Sequence, residues 1–143
     1  MHILFYCSVA NQEMSDDAIL DILKVAREHN SQKDITGILV FQKKTREFMQ
    51  ILEGKKEAVF DLLDKIQDDE RHTSLELVYD KEVEERTFKN WSMAFADLDT
   101  VDKSKLEGVS EFLEKGFTSE LLKENPAKTS RLIKTFKTFI END

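Results

Sequence analysis

The chain has 143 residues, with 21 Lys and Arg against 29 Asp and Glu, which gives a formal net charge of −8 at pH 7. This length suits one domain with a real hydrophobic core, and the acidic balance argues against general nucleic-acid binding, which requires a basic surface. No apolar run approaches the length that spans a bilayer, and the N-terminus lacks the pattern of a signal peptide, so we expect a cytoplasmic location and no membrane partner.

Residue types that bind metals and nucleotides are sparse. Cys7 is the only cysteine, and His2, His29 and His72 are far apart without the spacing of a metal motif. The chain has 4 glycines and no glycine-rich phosphate loop. We therefore expect no disulfide and no metal site, and any nucleotide must bind without such a loop.

The first two predicted elements are a strand and a helix. An apolar run over residues 3–8 predicts strand β1, and Tyr6 lies on one face of it. Ser15 is a plausible N-cap for an amphipathic helix over 16–29, and Asn30 is suited to a left-handed C-cap that ends this helix. The apolar stripe of the helix is Ile19, Ile22, Leu23 and Ala26.

A predicted hairpin follows. Residues 35–41 form the second strand, in which Gly37 indicates a bulge or the close approach of another backbone or a ligand. A charged turn over 42–47 leads into the third strand, 48–54. Alternation on that strand places Phe48, Gln50 and Leu52 on one face.

Gln50 occupies a position where the pattern requires an apolar side chain. A buried amide without partners costs about 1–3 kcal/mol, so Gln50 must meet a hydrogen-bonding partner there. That partner is either a nearby backbone group or a polar ligand, and the residues alone leave both open.

Another helix and two strands complete the predicted sheet. The helix begins after Gly54 and runs to about Asp69, and Lys65 and Asp69 are spaced as an i,i+4 pair. Alternation predicts strand β4 over 74–79, with Leu75, Leu77 and Tyr79 on one face. It also predicts strand β5 over 91–96, with Trp91, Met93 and Phe95 on one face.

The order β-α-β-β-α-β with one more strand predicts an α+β, ferredoxin-like fold whose two helices cover one sheet face. Right-handed crossovers make the first and third strands central, so Tyr6 and Gln50 lie on neighbouring strands. A C-terminal helical cap is predicted from segments at 106–116, 119–123 and 127–140. We expect the cap to cover the other sheet face or a second subunit.

Short motifs in a fixed order give the chain a specific resemblance. They are Phe5-Tyr6-Cys7-Ser8, His29-Asn30, Ile35-Thr36-Gly37-Ile38-Leu39, Phe48-Met49-Gln50-Ile51-Leu52-Glu53-Gly54, Asp69-Glu70-Arg71-His72 and Trp91-Ser92-Met93. With them the chain resembles the BLUF family, the blue-light sensors that use FAD. The resemblance implies a BLUF flavin-binding domain over 1–98 and a C-terminal helical extension over 99–143.

The resemblance also implies roles for individual residues. FAD would lie between the two sheet-covering helices, bound by Tyr6, Ile22, His29, Asn30, Gln50, Lys65, Ile66, Asp69, Arg71 and His72. The implied photochemical residues are Tyr6, Gln50, Trp91 and Met93. Light would drive electron transfer from Tyr6 to the flavin and proton transfer through Gln50, whose amide then rotates or tautomerises. Many family members have arginine at the position of Lys65, so this contact can differ here.

The implied function is a photoreceptor rather than an enzyme, which signals to a downstream regulatory protein and forms a homo-oligomer. No effector domain follows in this sequence, so we expect a non-covalent output. Two other classes stay open. One is a small ferredoxin-like flavin enzyme or an acylphosphatase-like hydrolase, although residues 9–15 lack the basic residue that the hydrolase requires. The other is an interaction domain without photochemistry.

Overall fold

The structure, a computed structural model, describes residues 1–43, 45–69, 72–97, 123–124 and 126–141. The predicted helix over 106–116 and most of the predicted segment over 119–123 lie outside the described residues. The α+β order and the C-terminal helix are confirmed. In chain order the elements are β1 (His2–Ala10), α1 (Asp16–Lys33), β2 (Thr36–Gln42), β3 (Glu47–Gly54), α2 (Lys56–Gln67), β4 (His72–Glu82), β5 (Ala94–Asp97) and α3 (Pro126–Glu141).

The strands form one five-stranded sheet in the order β4-β1-β3-β2-β5. β1 pairs antiparallel with both β4 and β3, β2 pairs antiparallel with β3, and β5 joins β2 in parallel. The first and third strands are therefore central, as the crossover rule predicts. In the register between them Tyr6 lies directly opposite Gln50.

The two faces of the sheet carry separate hydrophobic clusters. The helix-face cluster joins strand residues such as Leu4 and Leu52 to Ile19 and Leu23 of α1 and to the apolar side of α2. The α3-face cluster joins the opposite side chains of the same strands to α3, whose contributions are Leu132, Ile133 and Phe136. The C-terminal helix thus covers the sheet face that α1 and α2 leave bare.

The predicted end of α1 is wrong by one turn. The helix continues to Lys33, and its left-handed C-cap is Asp34 (φ 55°, ψ 45°), whose N–H donates to the Asn30 carbonyl. Residues 30–33 include no glycine or proline, so nothing in them stops the helix, and Asp tolerates the left-handed conformation. Asn30 is therefore a buried residue on the last turn rather than a cap. The predicted N-cap is present, since the Ala18 N–H donates to Ser15 Oγ (3.1 Å).

The alternation predicted for β4 is interrupted. The β1–β4 register steps from Phe5–Tyr79 to Tyr6–Leu77, so Val78 has no partner on β1 at this β-bulge. Beyond the bulge the side chains change faces. Leu77 packs on the helix-face cluster, whereas Tyr79 packs on the α3-face cluster. A bulge adds one residue to one strand, which shifts the two-residue period.

The predicted start of β5 is also wrong. The strand begins at Ala94, so residues 91–93 precede it and do not alternate as a strand does. Met93 belongs to the helix-face cluster, but Trp91 packs against the α3-face cluster. The two side chains predicted to share a face therefore lie on opposite sides of the sheet.

Two further predictions concern the hairpin and the C-terminal helix. A Cβ atom on Gly37 would collide with the Ile51 carbonyl oxygen, which confirms close backbone approach as the reason for glycine in β2. Small side chains on β5, Ala94 and Ala96, lie in the cluster that α3 completes.

Within the described part of the chain, no helix combines the length and the apolar character needed to cross a membrane.

Candidate functional site

A cavity of about 220 Å³ opens between α1 and α2 above the central strands. Its lining surface is mostly apolar with a smaller polar part, which is the usual composition of a small-molecule site. The lining residues are Tyr6, Ile22, Val25, Ala26, His29, Asn30, Leu39, Phe48, Gln50, Leu62, Lys65, Ile66 and Asp69.

Tyr6 and Gln50 form the floor of this cavity. They are cross-strand neighbours on β1 and β3, and the Tyr6 hydroxyl donates a hydrogen bond to Gln50 Oε1. Tyr6 is 1% exposed and Gln50 is 6% exposed. The amide that interrupts the apolar row on β3 therefore has a side-chain partner, and this partner is the tyrosine that the family resemblance implies.

The environment of Tyr6 keeps its phenol neutral. Burial raises the pKa of Tyr6 far above its usual value of 10.0, and the nearby Cys7 and Asp69 raise it further. All of these act against the phenolate, because water and positive charge are what stabilise that anion. The Tyr6 proton therefore stays on its oxygen across the physiological pH range and is shared with Gln50.

The nitrogen of the same amide points to Met93. Gln50 Nε2 donates to Met93 Sδ over 3.5 Å, and thioether sulfur is a weak acceptor. An amide nitrogen carries two N–H groups, so one remains for a ligand in the cavity. Gln50 thus connects Tyr6, the cavity and the residues that precede β5.

Two buried polar atoms at the cavity wall lack partners. Among the described residues, the buried side-chain atoms without a hydrogen bond are His29 Nδ1 and Asn30 Oδ1. Asn30 is 1% exposed, and its Nδ2 donates to the Ser92 carbonyl (2.7 Å), which leaves Oδ1 as the free acceptor. A buried polar group without a partner costs about 1–3 kcal/mol, so this wall is built for a ligand with matching polar groups.

The structure brings together most of the residues that the family resemblance predicts to bind the cofactor. Eight of them line the cavity, whereas Arg71 and the side chain of His72 lie outside the described residues. Lys65 and Asp69 both line it, but α2 ends at Gln67, so Asp69 lies beyond the helix and the i,i+4 geometry does not apply to it.

Some residues at the site were missed by the sequence reasoning. Val25, Ala26 and Leu62 line the cavity at positions that helical spacing from Ile22 and Ile66 could have found. Leu39 lies opposite Gln50 on β2, and this position depends on the strand register. Arg27 was also missed. Its Nε donates to the Met93 carbonyl (3.0 Å), and no pattern in the sequence indicates this contact.

Comparison with protein families identifies the chain. The model of the BLUF family, described as sensors of blue light using FAD, matches residues 1–94. The chain belongs to the BLUF family. Among individual relatives, the photoactivated adenylate cyclase subunit beta of Euglena longa is 34% identical over 118 residues, which are 81% of this chain. The chain spans only 14% of that relative's length.

Solved BLUF structures have the same fold. The ground state of BlsA is 28% identical, with a TM-score of 0.72 over 93% of this chain and 87% of that chain. A bacterial light-regulated adenylyl cyclase is 32% identical, with a TM-score of 0.71 over 80% of this chain and 33% of that chain. The dark-state structure of the BLUF protein BlrB, at 24% identity, shows the shared fold, with a TM-score of 0.74 and 96% of this chain covered.

The BLUF family uses FAD, and the residues of this cavity fit the ring of that cofactor. Apolar side chains from both helices, including Ile22 and Ile66, form walls for a flat ring. The unpartnered Asn30 Oδ1 can accept from a ring N–H, and His29 Nδ1 and the second N–H of Gln50 supply further polar contacts.

Proposed function

We propose that this BLUF protein is a blue-light photoreceptor in which a Tyr6–Gln50 hydrogen-bond switch controls the residues that precede β5. The observation that carries the proposal is the continuous contact from Tyr6 through Gln50 to Met93 at the floor of the cavity. FAD bound in this cavity supplies blue-light absorption and an excited state that accepts an electron. Ile22, His29, Asn30, Lys65, Ile66 and Asp69 are the cavity residues that would hold it.

Tyr6 is the electron and proton donor in this mechanism. Its phenol is buried and neutral, so its proton has no route to solvent. The hydrogen bond to Gln50 Oε1 is the route that the structure offers, and loss of an electron makes a phenol far more acidic. The electron would pass to the flavin and the proton toward Oε1 of Gln50, and the return of both to Tyr6 during recovery restores the neutral phenol.

Gln50 is the part that changes. Its amide either rotates or tautomerises, as the family resemblance implies. Rotation exchanges the positions of Oε1 and Nε2, so an oxygen acceptor then faces Met93 Sδ in place of the N–H donor. The contact to Met93 is thereby lost, and the change at one amide reaches the segment in front of β5.

The output is a contact with another protein. The relatives named above include cyclases, and this chain matches only a small share of their length, so we propose a downstream regulatory protein as the partner of the residues around β5. We also propose that the protein acts as a homo-oligomer and that residues 99–143 form a C-terminal helical extension of the flavin-binding domain.

Absorption spectra before and after blue light test this function. The purified protein is expected to bind FAD and to show a reversible red shift of the flavin band. Tyr6→Phe should keep the flavin and lose the shift, because phenylalanine has no proton to donate to Gln50. The matched control is Tyr79→Phe, which changes the second tyrosine, packed on the other sheet face.

The control variant should respond to light as the wild type does. A flavin-loaded wild type without a red shift would overturn the photoreceptor function. A normal shift in Tyr6→Phe would overturn the role of Tyr6 and leave the photoreceptor function standing.

A further inference from the structure

Residues 91–93 are held by several elements at once. The Arg27 guanidinium donates through Nε to the Met93 carbonyl (3.0 Å), and Asn30 Nδ2 donates to the Ser92 carbonyl (2.7 Å). Both donors come from α1, one helical turn apart. The segment is therefore bound to α1 through its backbone, whatever its side chains do.

A backbone contact adds β2 to this arrangement. The Gly37 N–H donates to the Trp91 carbonyl (3.1 Å), just before β2 and β5 begin to pair at Ile38 and Ala94. The segment thus enters the sheet from a position that α1 and β2 define together. The exchange rate of the Gly37 amide hydrogen reports on the position of residues 91–93, because this hydrogen is protected only while its bond to the Trp91 carbonyl is formed.

Arg27 differs from the other side chains that hold the segment. Asn30 and Gln50 line the cavity, whereas Arg27 does not. Arg27 lies on the exposed side of α1 and reaches the Met93 carbonyl through a partly buried bond. Arg27 donates from a charged group, and charge-assisted hydrogen bonds are stronger than neutral ones, so this contact adds to the attachment that the neutral and shorter Asn30–Ser92 bond provides.

The other end of the β4–β5 connection is fixed in the protein interior. Glu53, the last residue but one of β3, is 0% exposed. Its carboxylate accepts from the backbone N–H groups of Thr87 (2.5 Å) and Phe88 (2.7 Å) and from the Thr36 hydroxyl (3.1 Å). A buried carboxylate with three donors is compensated, and breaking such a set is costly.

Arg86 strengthens this fixed end. Its guanidinium donates to the Glu53 carbonyl (3.2 Å), the Thr36 hydroxyl (2.9 Å) and the Asp34 carbonyl (2.7 Å). The next side chain but one, Phe88, is 0% exposed in the α3-face cluster. The connection is consequently anchored in the core at residues 86–88. The Trp91 N–H donates to the Phe88 carbonyl (3.0 Å), and beyond it the carbonyls of Ser92 and Met93 accept from α1.

We propose that Arg27 is a positioning residue that holds residues 91–93 against α1, and that the buried Glu53 carboxylate is the fixed anchor that confines any release to residues 89–93. Arg27 acts through the Met93 backbone and not through the cofactor. The contact of Arg27 sets how firmly residues 91–93, which lie next to Gln50, are held. Any consequence of this contact for signalling rests on the proposed function.

Amide hydrogen exchange of the FAD-loaded protein in the dark tests this proposal. Arg27→Met keeps the aliphatic stem and removes the donor and the charge. The Gly37 amide is expected to exchange roughly tenfold faster, since a hydrogen bond from a charged group is lost. The amides of Thr87 and Phe88 should keep wild-type protection, because Glu53 still accepts from them.

The matched control is Lys24→Met, which makes the same change of charge at an exposed position one turn earlier on α1. It should leave the Gly37 amide unchanged, and Arg27→Lys should restore part of the protection by supplying another charged donor. Unchanged Gly37 exchange in Arg27→Met would overturn the role of Arg27. If Arg27→Met accelerated the exchange of the Thr87 and Phe88 amides as much as that of Gly37, residues 86–88 would not be anchored independently of residues 91–93.

The two proposals fail in different ways. Exchange in the dark needs no photochemistry, so a protein with the expected exchange pattern but no light-induced red shift would refute the proposed function alone. A normal red shift with wild-type exchange in Arg27→Met would refute the role of Arg27 alone.

Discussion

At the level of the residue, the side-chain amide of Gln50 accounts for the main hydrogen bonds at the floor of the cavity. Gln50 interrupts an apolar row on β3, and burial makes a partner obligatory. The structure supplies Tyr6 as donor and Met93 as acceptor. Because both partners are specific side chains, a change in the amide must alter at least one of these contacts. That property is what a switch requires and what a backbone partner would not provide.

Cys7, the neighbour of Tyr6 on β1, allows a test of how the strand excludes water. Burial raises the pKa of its thiol from 9.0 to about 12, with Glu47 and Glu76 as further causes. The folded protein therefore retains the proton above pH 9, where the unfolded chain releases it. Stability linked to this group is complete below pH 9 and decreases as the pH rises toward 12, by up to about 1.4 kcal/mol per pH unit.

Cys7→Ala should remove this contribution. Its free energy of unfolding, measured by urea titration between pH 7 and 11, should parallel the wild-type curve below pH 8 and fall less steeply above pH 9. Tyr6 also lowers the free energy of unfolding above pH 10, because its pKa is raised by folding. This effect is the same in both proteins and cancels when their curves are compared. Curves that stay parallel to pH 11 would show that the thiol is reached by water in the folded protein.

At the level of elements, the irregular positions decide what the site contains. The extra turn of α1 places Asn30 inside the helix, where it reaches Ser92 and lines the cavity. The late start of β5 leaves residues 91–93 outside the ladder, where their carbonyls accept from α1 and β2. These departures from regular periodicity create the contacts on which the proposed switch depends.

Gly37 is the element-level position with the clearest expected effect. In Gly37→Ala the new Cβ would meet the Ile51 carbonyl oxygen, so β2 and β3 must separate locally. We expect a loss of about 1–3 kcal/mol in the free energy of unfolding, in the range of overpacking substitutions. Chemical denaturation would measure it.

Gly54→Ala is the matched control. Its Cβ would lie 3.2 Å from the Asp34 carbonyl oxygen, a contact that small shifts can relieve, so a smaller loss is expected. Equal losses in the two variants would contradict close approach as the reason for glycine at position 37.

At the level of the whole molecule, one sheet separates two environments. The cavity between α1 and α2 and the helix-face cluster lie on one side, and α3 closes the other. Met93 and Trp91 belong to opposite sides although they are two residues apart. A displacement of residues 91–93 would therefore change contacts on both faces of the sheet.

Leu132→Ala tests whether α3 belongs to the core rather than to an independent appendage. Leu132 is 2% exposed in the α3-face cluster, so its truncation should cost about 2–5 kcal/mol of unfolding free energy. The flavin absorption band should persist at low temperature, because the cavity lies on the other face. Lys134→Ala, at an exposed position of the same helix, should change stability by less than about 0.5 kcal/mol. Equal stability of both variants would contradict the packing of α3.

The sequence by itself determined the order and type of the elements, the central place of β1 and β3, and the need of Gln50 for a partner. These follow from local periodicity and from the cost of burying an amide, both of which are properties of neighbouring residues. The family resemblance implied Tyr6 as that partner, and the register of β1 and β3 agrees with it. Only the tertiary structure decided that Trp91 and Met93 face opposite ways, and that Arg27 and Glu53 hold the two ends of the β4–β5 connection. Those facts depend on strand register, on a β-bulge and on contacts between distant residues, and none of these is encoded in the spacing of side chains along the chain.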